Sequence, residues 1–78
     1  MKLYFDNDRE ILFYAFRYAL GRSTYAVHTM VECIENNWES LTIHDKNKIK
    51  KEIRDMFLDR TTLMDMDKRE WTKILELQ

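Results

Sequence analysis

The stretch Tyr18-Ala19-Leu20-Gly21-Arg22-Ser23-Thr24-Tyr25 contains the one glycine of a 78-residue chain that has no proline. Glycine and proline interrupt regular structure more strongly than other residues, so this composition favours long helices. We expect Gly21 to end one helix in the left-handed conformation, and Ser23 or Thr24 to cap the next. A β-branched side chain at Gly21 should then destabilise the fold by about 1 kcal/mol or more.

The residues on either side of this hinge predict an all-α fold, a compact bundle of three to four short helices in a single domain spanning residues 1–78. The helices are expected at about 7–20, 24–37, 43–59 and 67–76, and no useful length of two-residue alternation suggests a sheet. The segment Lys2 to Phe5 is either a short extended arm or an early helical turn.

The first predicted helix is apolar nearly all round. Asp6 or Asn7 can cap it, with Glu10 in capping-box spacing. From Ile11 to Leu20 only Arg17 interrupts the apolar residues. A helix of this kind is normally buried, so we expect other segments to wrap it or a second copy to cover it.

The later helices each show one apolar stripe. The inward residues are expected to be Ala26, Val27, Met30, Val31, Ile34 and Trp38, then Ile49, Ile53, Met56 and Phe57, and finally Trp71, Ile74 and Leu75.

Polar residues mark the ends of these helices. Asn36-Asn37 is the expected exit of the second helix. Thr42 and Asp45 have the spacing of a capping box at the start of the third, which should end at Arg60-Thr61-Thr62. Asp65 or Asp67 should cap the last helix, with Glu70 three residues after Asp67.

Net charge, cysteine content and apolar run length argue against several classes of protein. Thirteen basic and fourteen acidic side chains give a net charge of −1, which argues against a dedicated nucleic-acid binder and against a strongly acidic DNA mimic. The single cysteine, Cys33, fits a reducing compartment. The longest uncharged apolar run, Ile11 to Phe16, is too short to cross a bilayer, so we expect an intracellular protein with no membrane association.

No combination of residues predicts catalysis, a cofactor or a metal. His28, Cys33 and His44 fall short of the four ligands of a structural zinc site, and five residues separate the first two. Ser23, His28 and Glu32 could be read as a nucleophile with its partners, but Ser23 is better explained as a cap. We therefore expect a protein that is not an enzyme.

A row of basic residues on the predicted third helix leaves nucleic-acid binding as an alternative function. Lys46, Lys50 and Arg54 are spaced i, i+4, i+8 and could follow phosphates. Glu52 and Asp55 interrupt that face, so the pattern favours an ordinary solvated surface.

Aromatic content favours protein binding. Four tyrosines, four phenylalanines and two tryptophans are many for a small chain, and aromatic residues and arginine are enriched at interfaces. Arg17 either lies at the edge of the core or binds a carboxylate or phosphate of a partner. Arg22 either stabilises the hinge by hydrogen bonds to carbonyls at the helix end or binds a partner in the same way. The candidate partner-binding residues are Arg17, Arg22, Tyr25, Lys46, Lys50 and Arg54.

The sequence around the hinge is also similar to a motif found in other proteins. The run Phe16 to Tyr25, with its core Ala-Leu-Gly-Arg-x-Thr-Tyr, resembles a motif in small helical proteins of tailed phages and prophages. Those chains continue with a tryptophan, here Trp38, an Ile-Lys-Lys-Glu-Ile-type helix, here Ile49 to Ile53, and an acid-to-tryptophan segment, here Asp67 to Trp71. The resemblance implies a phage-type origin and a bacterial cytoplasm, and it carries over no catalytic residue.

The functional hypothesis follows from these observations together. We expect a small protein that binds and blocks or modulates a bacterial host protein or nucleoprotein complex, for example as an anti-CRISPR-like inhibitor, because phage proteins of this size often act in that way. The alternatives are a nucleic-acid-binding accessory protein using the Lys46–Arg54 row and a structural homodimeric module.

Overall fold

Four α-helices make up most of the computed structural model, which describes residues 6–59 and 63–78. They are α1 (Asp6–Leu20), α2 (Tyr25–Asn37), α3 (Ile43–Asp59) and α4 (Asp65–Leu75), with a 3-10 turn at Trp38–Ser40 after α2. The described residues contain no strand, and the predicted all-α bundle is confirmed. No helix among them is both long and apolar enough to cross a membrane.

Some predictions fall outside the described part of the chain. These concern the conformation of Lys2 to Phe5, capping by the side chains of Asp6 or Asn7, and the end of the third helix at Arg60-Thr61-Thr62. Elsewhere the predicted boundaries of the first three helices differ from the observed ones by at most one residue.

The core lies where α2 packs between α1 and α4. Residues with no exposed surface come from all four helices: Leu12, Phe16, Val27, Val31, Ile34, Ile49, Ile53, Trp71 and Ile74. The rings of Phe16 and Trp71 meet edge to face, with centroids 5.7 Å apart, which joins α1 to α4 through an aromatic contact.

The first helix is buried on one side only, so the expectation that other segments of the chain wrap it is wrong for its outer side, while covering by a second copy stays a prediction. Leu12, Phe16 and Ala19 face the core, whereas Ile11 and Tyr18 are exposed. The described parts of the other helices pack against the inner side of α1 and leave its outer side uncovered.

The hinge differs from the prediction at Gly21, which does not have a positive φ. Instead α1 ends in a tightened turn, in which the Gly21 N–H donates to the Tyr18 carbonyl and the Arg22 N–H to the Ala19 carbonyl. A Cβ at Gly21 would lie 3.9 Å from the Tyr18 oxygen, which is an ordinary contact. The left-handed backbone from which the cost of a β-branched side chain was expected is therefore absent.

The strained residue of the hinge is Thr24, with φ 55° and ψ −96°. This conformation is unfavourable for a β-branched residue and costs on the order of 1–3 kcal/mol. Thr24 occupies the N-cap position of α2, but its side chain makes no capping hydrogen bond. Its backbone N–H donates to Asp67 Oδ1 at 2.7 Å. The predicted capping bond from the Thr24 side chain is therefore absent, and a carboxylate from α4 instead holds the N-cap residue through its own N–H.

The start of α4 explains why Asp67 is available. The N-cap position belongs to Met64, and Asp67 lies inside the first turn. The prediction that Asp65 or Asp67 caps this helix is wrong, because both residues are already helical. The buried Asp67 carboxylate lies at the N-terminal ends of both α2 and α4, where negative charge is favoured by the helix dipoles.

A second carboxylate ties α1 to α3. Thr42 Oγ1 accepts the Asp45 N–H at 3.1 Å, which confirms the predicted cap at the start of α3. The buried Asp45 carboxylate accepts two hydrogen bonds from Arg9, from Nε at 2.5 Å and from Nη2 at 2.6 Å. This bidentate pair holds the N-terminal halves of the two helices together.

Candidate protein-binding surface

An apolar groove of about 520 Å³ runs between α1 and α2. Its floor includes the buried Leu12, Ala19 and Met30, and its rim includes Tyr18 and Tyr25. The groove exists because α1 and α2 pack through small side chains such as Ala19, which leaves space between the larger side chains on the rim.

Large apolar and aromatic side chains point into solvent along this groove, at Ile11, Tyr18 and Tyr25, and on the adjoining outer side of α1, at Tyr14. Their exposed fractions are 53% for Ile11, 79% for Tyr14, 57% for Tyr18 and 80% for Tyr25. We call the surface formed by Ile11, Tyr14, Ala15, Tyr18, Arg22 and Tyr25 the α1–α2 face. Tyrosine offers a large contact area with few rotatable bonds, which is why it is frequent at binding surfaces.

Arg22 gives this face a positive charge at one end. Its guanidinium lies over the Tyr18 ring, 4.3 Å from the centroid, in a cation–π contact. Stacking limits the motion of the long side chain, so less entropy is lost when its N–H groups bind a carboxylate.

The predicted site residues on α3 are placed differently. Lys46 Nζ and Lys50 Nζ lie 5.6 and 5.7 Å from the centroid of the Trp38 ring, and Lys50 also donates to the Leu77 backbone carbonyl. Arg54 is exposed further along the helix. Two of the three cations in this row therefore cover a buried tryptophan instead of forming an open track.

Arg17 lies on a third surface. Its Nε is 4.0 Å from Glu52 Oε1 on α3, and its side chain is largely exposed. The structure thus brings Arg22 and Tyr25 together on the α1–α2 face, and it separates them from Arg17 and from the α3 row.

A polar cluster joins α2 to α4 beside a second groove of about 660 Å³. His28 Nδ1 is 3.2 Å from Glu70 Oε2, its Nε2 is 3.6 Å from Glu32, and Lys73 Nζ donates to Glu70 Oε1 at 2.9 Å. The hydrogen bond from Lys73, followed by that from His28, lowers the pKa of Glu70 although partial burial opposes the shift. A carboxylate with a lowered pKa is a weaker proton acceptor, so this arrangement is suited to holding two helices together.

The nitrogen and sulfur side chains considered as metal ligands lie in different places. His28 is exposed and Cys33 is half-buried on α2, whereas His44 lies in the first turn of α3. Within residues 6–59 and 63–78, no group of three or more His, Cys, Asp or Glu side chains is arranged to hold a metal ion.

Sequence reasoning missed the contribution of α1 to the α1–α2 face. Ile11, Tyr14, Ala15 and Tyr18 follow the i, i+3, i+4 and i+7 spacing of one helical stripe. That signal was available but ambiguous, because the opposite side of the helix is equally apolar. No protein-family model, curated protein or solved structure matches the chain, so the surface is interpreted from its own geometry.

Proposed function

We propose that this chain is a small, non-enzymatic protein that docks on a bacterial host protein or nucleoprotein complex through its α1–α2 face. By occupying a surface of that partner it would block or modulate the partner's activity in the host cytoplasm. The resemblance of the hinge motif to small phage proteins supports the choice of a bacterial target, and an inhibitor of a CRISPR nuclease complex is one protein of this kind.

The exposed tyrosines of the α1–α2 face carry the proposal. A small monomer gains stability by burying aromatic side chains, yet Tyr14, Tyr18 and Tyr25 lie in solvent while smaller residues fill the core beneath them. Apolar patches of this kind, rimmed by polar groups, are typical of protein-binding sites. Arg22, stacked on Tyr18, adds a charged anchor of the type that often dominates binding energy.

The basic row on α3 supports direct nucleic-acid binding less well. A phosphate-binding lysine needs its ammonium group free to approach the backbone of the nucleic acid. Lys46 and Lys50 instead lie over Trp38, and Lys50 donates to the backbone at Leu77. To bind phosphates they would have to uncover the indole ring.

The proposal is tested by capture from bacterial lysate with three tagged forms of the protein. The wild type should recover a partner in stoichiometric amount. The double variant Tyr18→Ser/Tyr25→Ser should lose it. The variant Leu58→Ser should keep it, because Leu58 is as exposed as Tyr25, at 80%, but lies on α3.

Affinity measurements with the purified partner then give the contribution of each tyrosine to binding. Each serine substitution at a central tyrosine should weaken binding by about 30-fold, the range of an interface hot spot of 2 kcal/mol. Circular dichroism confirms that the variants are folded. A partner held equally well by all three forms would place the binding site elsewhere and refute the assignment to the α1–α2 face.

A further inference from the structure

We propose that, in the absence of another partner, the α1–α2 face pairs with the same face of a second copy, with the two α1 helices antiparallel about a twofold axis near Ala15. The inference concerns the free protein and does not depend on a bacterial target. It rests on the shape, the charge distribution and the area of the α1–α2 face.

The shape of α1 is self-complementary in the antiparallel orientation. In a helix pair centred between Tyr14 and Ala15, the two copies of Ala15 lie side by side at the centre, and the two copies of Tyr14 lie together along one edge of the interface. Ile11 of each copy lies opposite Tyr18 of the other. The small Ala15 side chains therefore let the two helices approach closely at the centre, and the groove beside Tyr18 can accept side chains from the second copy.

The charges at the two ends of α1 select this orientation. Asp8 lies in the first turn of α1 and Arg22 lies just after its last turn. Asp8 lies about 10 Å from Ala15 along the helix axis, and Arg22 follows the opposite end of the helix, two residues after Leu20. Antiparallel pairing places Asp8 near Arg22 of the second copy at both ends, whereas parallel pairing would place like charges together.

The exposed area is of the size that a specific dimer needs. An aromatic side chain can bury about 150–250 Å², and three of the four large residues on the α1–α2 face are more than half-exposed tyrosines. Together with Ile11 they offer roughly 600 Å² on each copy, most of the approximately 800 Å² per partner that a standard interface buries. In a C2 dimer both copies contribute the same patch.

The first experiment measures mass against concentration by sedimentation equilibrium. The wild type should form a species of twice the 9.6 kDa monomer mass with a micromolar dissociation constant. Ile11→Glu should weaken it at least tenfold, and Leu58→Glu on α3 should leave it unchanged. A wild type that stays monomeric at 200 μM, or a dimer unaffected by Ile11→Glu, would overturn the inference.

The second experiment tests the charge pairing. Asp8→Arg alone and Arg22→Asp alone each place like charges together at both ends of the dimer, so each should dimerise at least tenfold more weakly than the wild type. Mixed in equal amounts, the two variants should form a heterodimer, because opposite charges then meet at both ends. A mixture no more associated than its components would overturn the pairing.

Disulfide trapping shows whether the two α1 helices of the dimer are antiparallel or parallel. In a Cys33→Ser background, Ile11→Cys and Tyr18→Cys should not cross-link to themselves, because identical positions lie about 10 Å apart along the axis. A mixture of the two variants should form a disulfide between the cysteine introduced at position 11 of one copy and that introduced at position 18 of the other, detected by peptide mass spectrometry. Efficient self-cross-linking of either variant would show a parallel pair and contradict the proposal.

These results are distinguishable from those that test the proposed function. A monomer that still captures a bacterial protein through Tyr18 and Tyr25 would remove the dimer and leave the function. A dimer trapped by the disulfide between positions 11 and 18, with no bacterial protein captured, would support the dimer and remove the proposed function.

Discussion

The hydrogen bond from Thr24 N–H to Asp67 should make the stability of the fold sensitive to substitution of Asp67. Asp67 is buried, and its carboxylate accepts the Thr24 N–H at 2.7 Å across 43 residues of sequence. Hydrogen bonds that involve a charged group contribute about 1.5–3 kcal/mol, and loss of the acceptor would leave the N–H without a protein partner. Asp67→Ala should therefore lower the free energy of unfolding by about 2 kcal/mol.

Two further variants separate the effect of the Asp67 charge from that of the lost hydrogen bond and of the helix dipole. Asp67→Asn keeps an acceptor oxygen but removes the charge, and neutral hydrogen bonds are roughly half as strong, so the expected loss is about 1 kcal/mol. Asp65→Ala is the control, because Asp65 is an exposed acid in the same first turn of α4. Its only expected effect is a reduced interaction with the helix dipole, about 0.5 kcal/mol.

Urea unfolding followed by circular dichroism at 222 nm provides the measurement. For a domain of this size the free energy of unfolding falls by about 1 kcal/mol per molar urea. The midpoint should therefore fall by about 2 M for Asp67→Ala, about 1 M for Asp67→Asn and about 0.5 M for Asp65→Ala. If Asp67→Ala unfolds at the same urea concentration as Asp65→Ala, the carboxylate does not hold the hinge and the reasoning fails.

Three further predictions concern the hinge and the pair between α1 and α3. Gly21→Ala should raise the free energy of unfolding by about 0.5 kcal/mol, since Gly21 has no positive φ and a Cβ would have space; a loss of more than 1 kcal/mol in urea unfolding would contradict this. Thr24→Gly should raise it by about 1 kcal/mol because glycine tolerates φ 55°, and a lowered thermal midpoint would count against strain at Thr24. The Arg9 guanidinium, through its hydrogen bonds, holds the pKa of Asp45 below its ordinary value, although burial opposes the shift. The stability from this pair is therefore complete above about pH 5 and is lost as pH falls through the lowered pKa, so Asp45→Asn should flatten the acid limb of a stability-versus-pH curve. An unchanged acid limb in that variant would show that Asp45 does not contribute to it.

The elements of the fold that sequence predicted well are those determined by local interactions. The apolar stripes of α2 and α3 and the bond between Thr42 Oγ1 and Asp45 N–H involve residues at most a few positions apart, and periodicity or spacing reveals them. The Arg9–Asp45 and Thr24–Asp67 contacts join residues 36 and 43 positions apart, and one sequence carries no signal for such pairs.

The hinge shows how a distant contact overrides a local preference. Gly21 is the residue best suited to a positive φ, yet Thr24 adopts one because Asp67 binds its N–H. The α1–α2 face has a similar explanation. Sequence identified Arg22 and Tyr25, but it could not decide which side of an all-round apolar helix faces outward. Packing of Phe16 against Trp71 makes that choice and leaves Tyr14 and Tyr18 in solvent.

The link between Thr24 and Asp67 also bears on how the chain acquires its structure during synthesis. A ribosome makes the hinge long before it makes α4, and the hinge has no acceptor for the Thr24 N–H until Asp67 has left the exit tunnel. Until then α1 and α2 can form as helices, but nothing compensates the strain at Thr24. The geometry between α1 and α2, and with it the groove that Tyr18 and Tyr25 flank, is therefore completed only when the last helix docks.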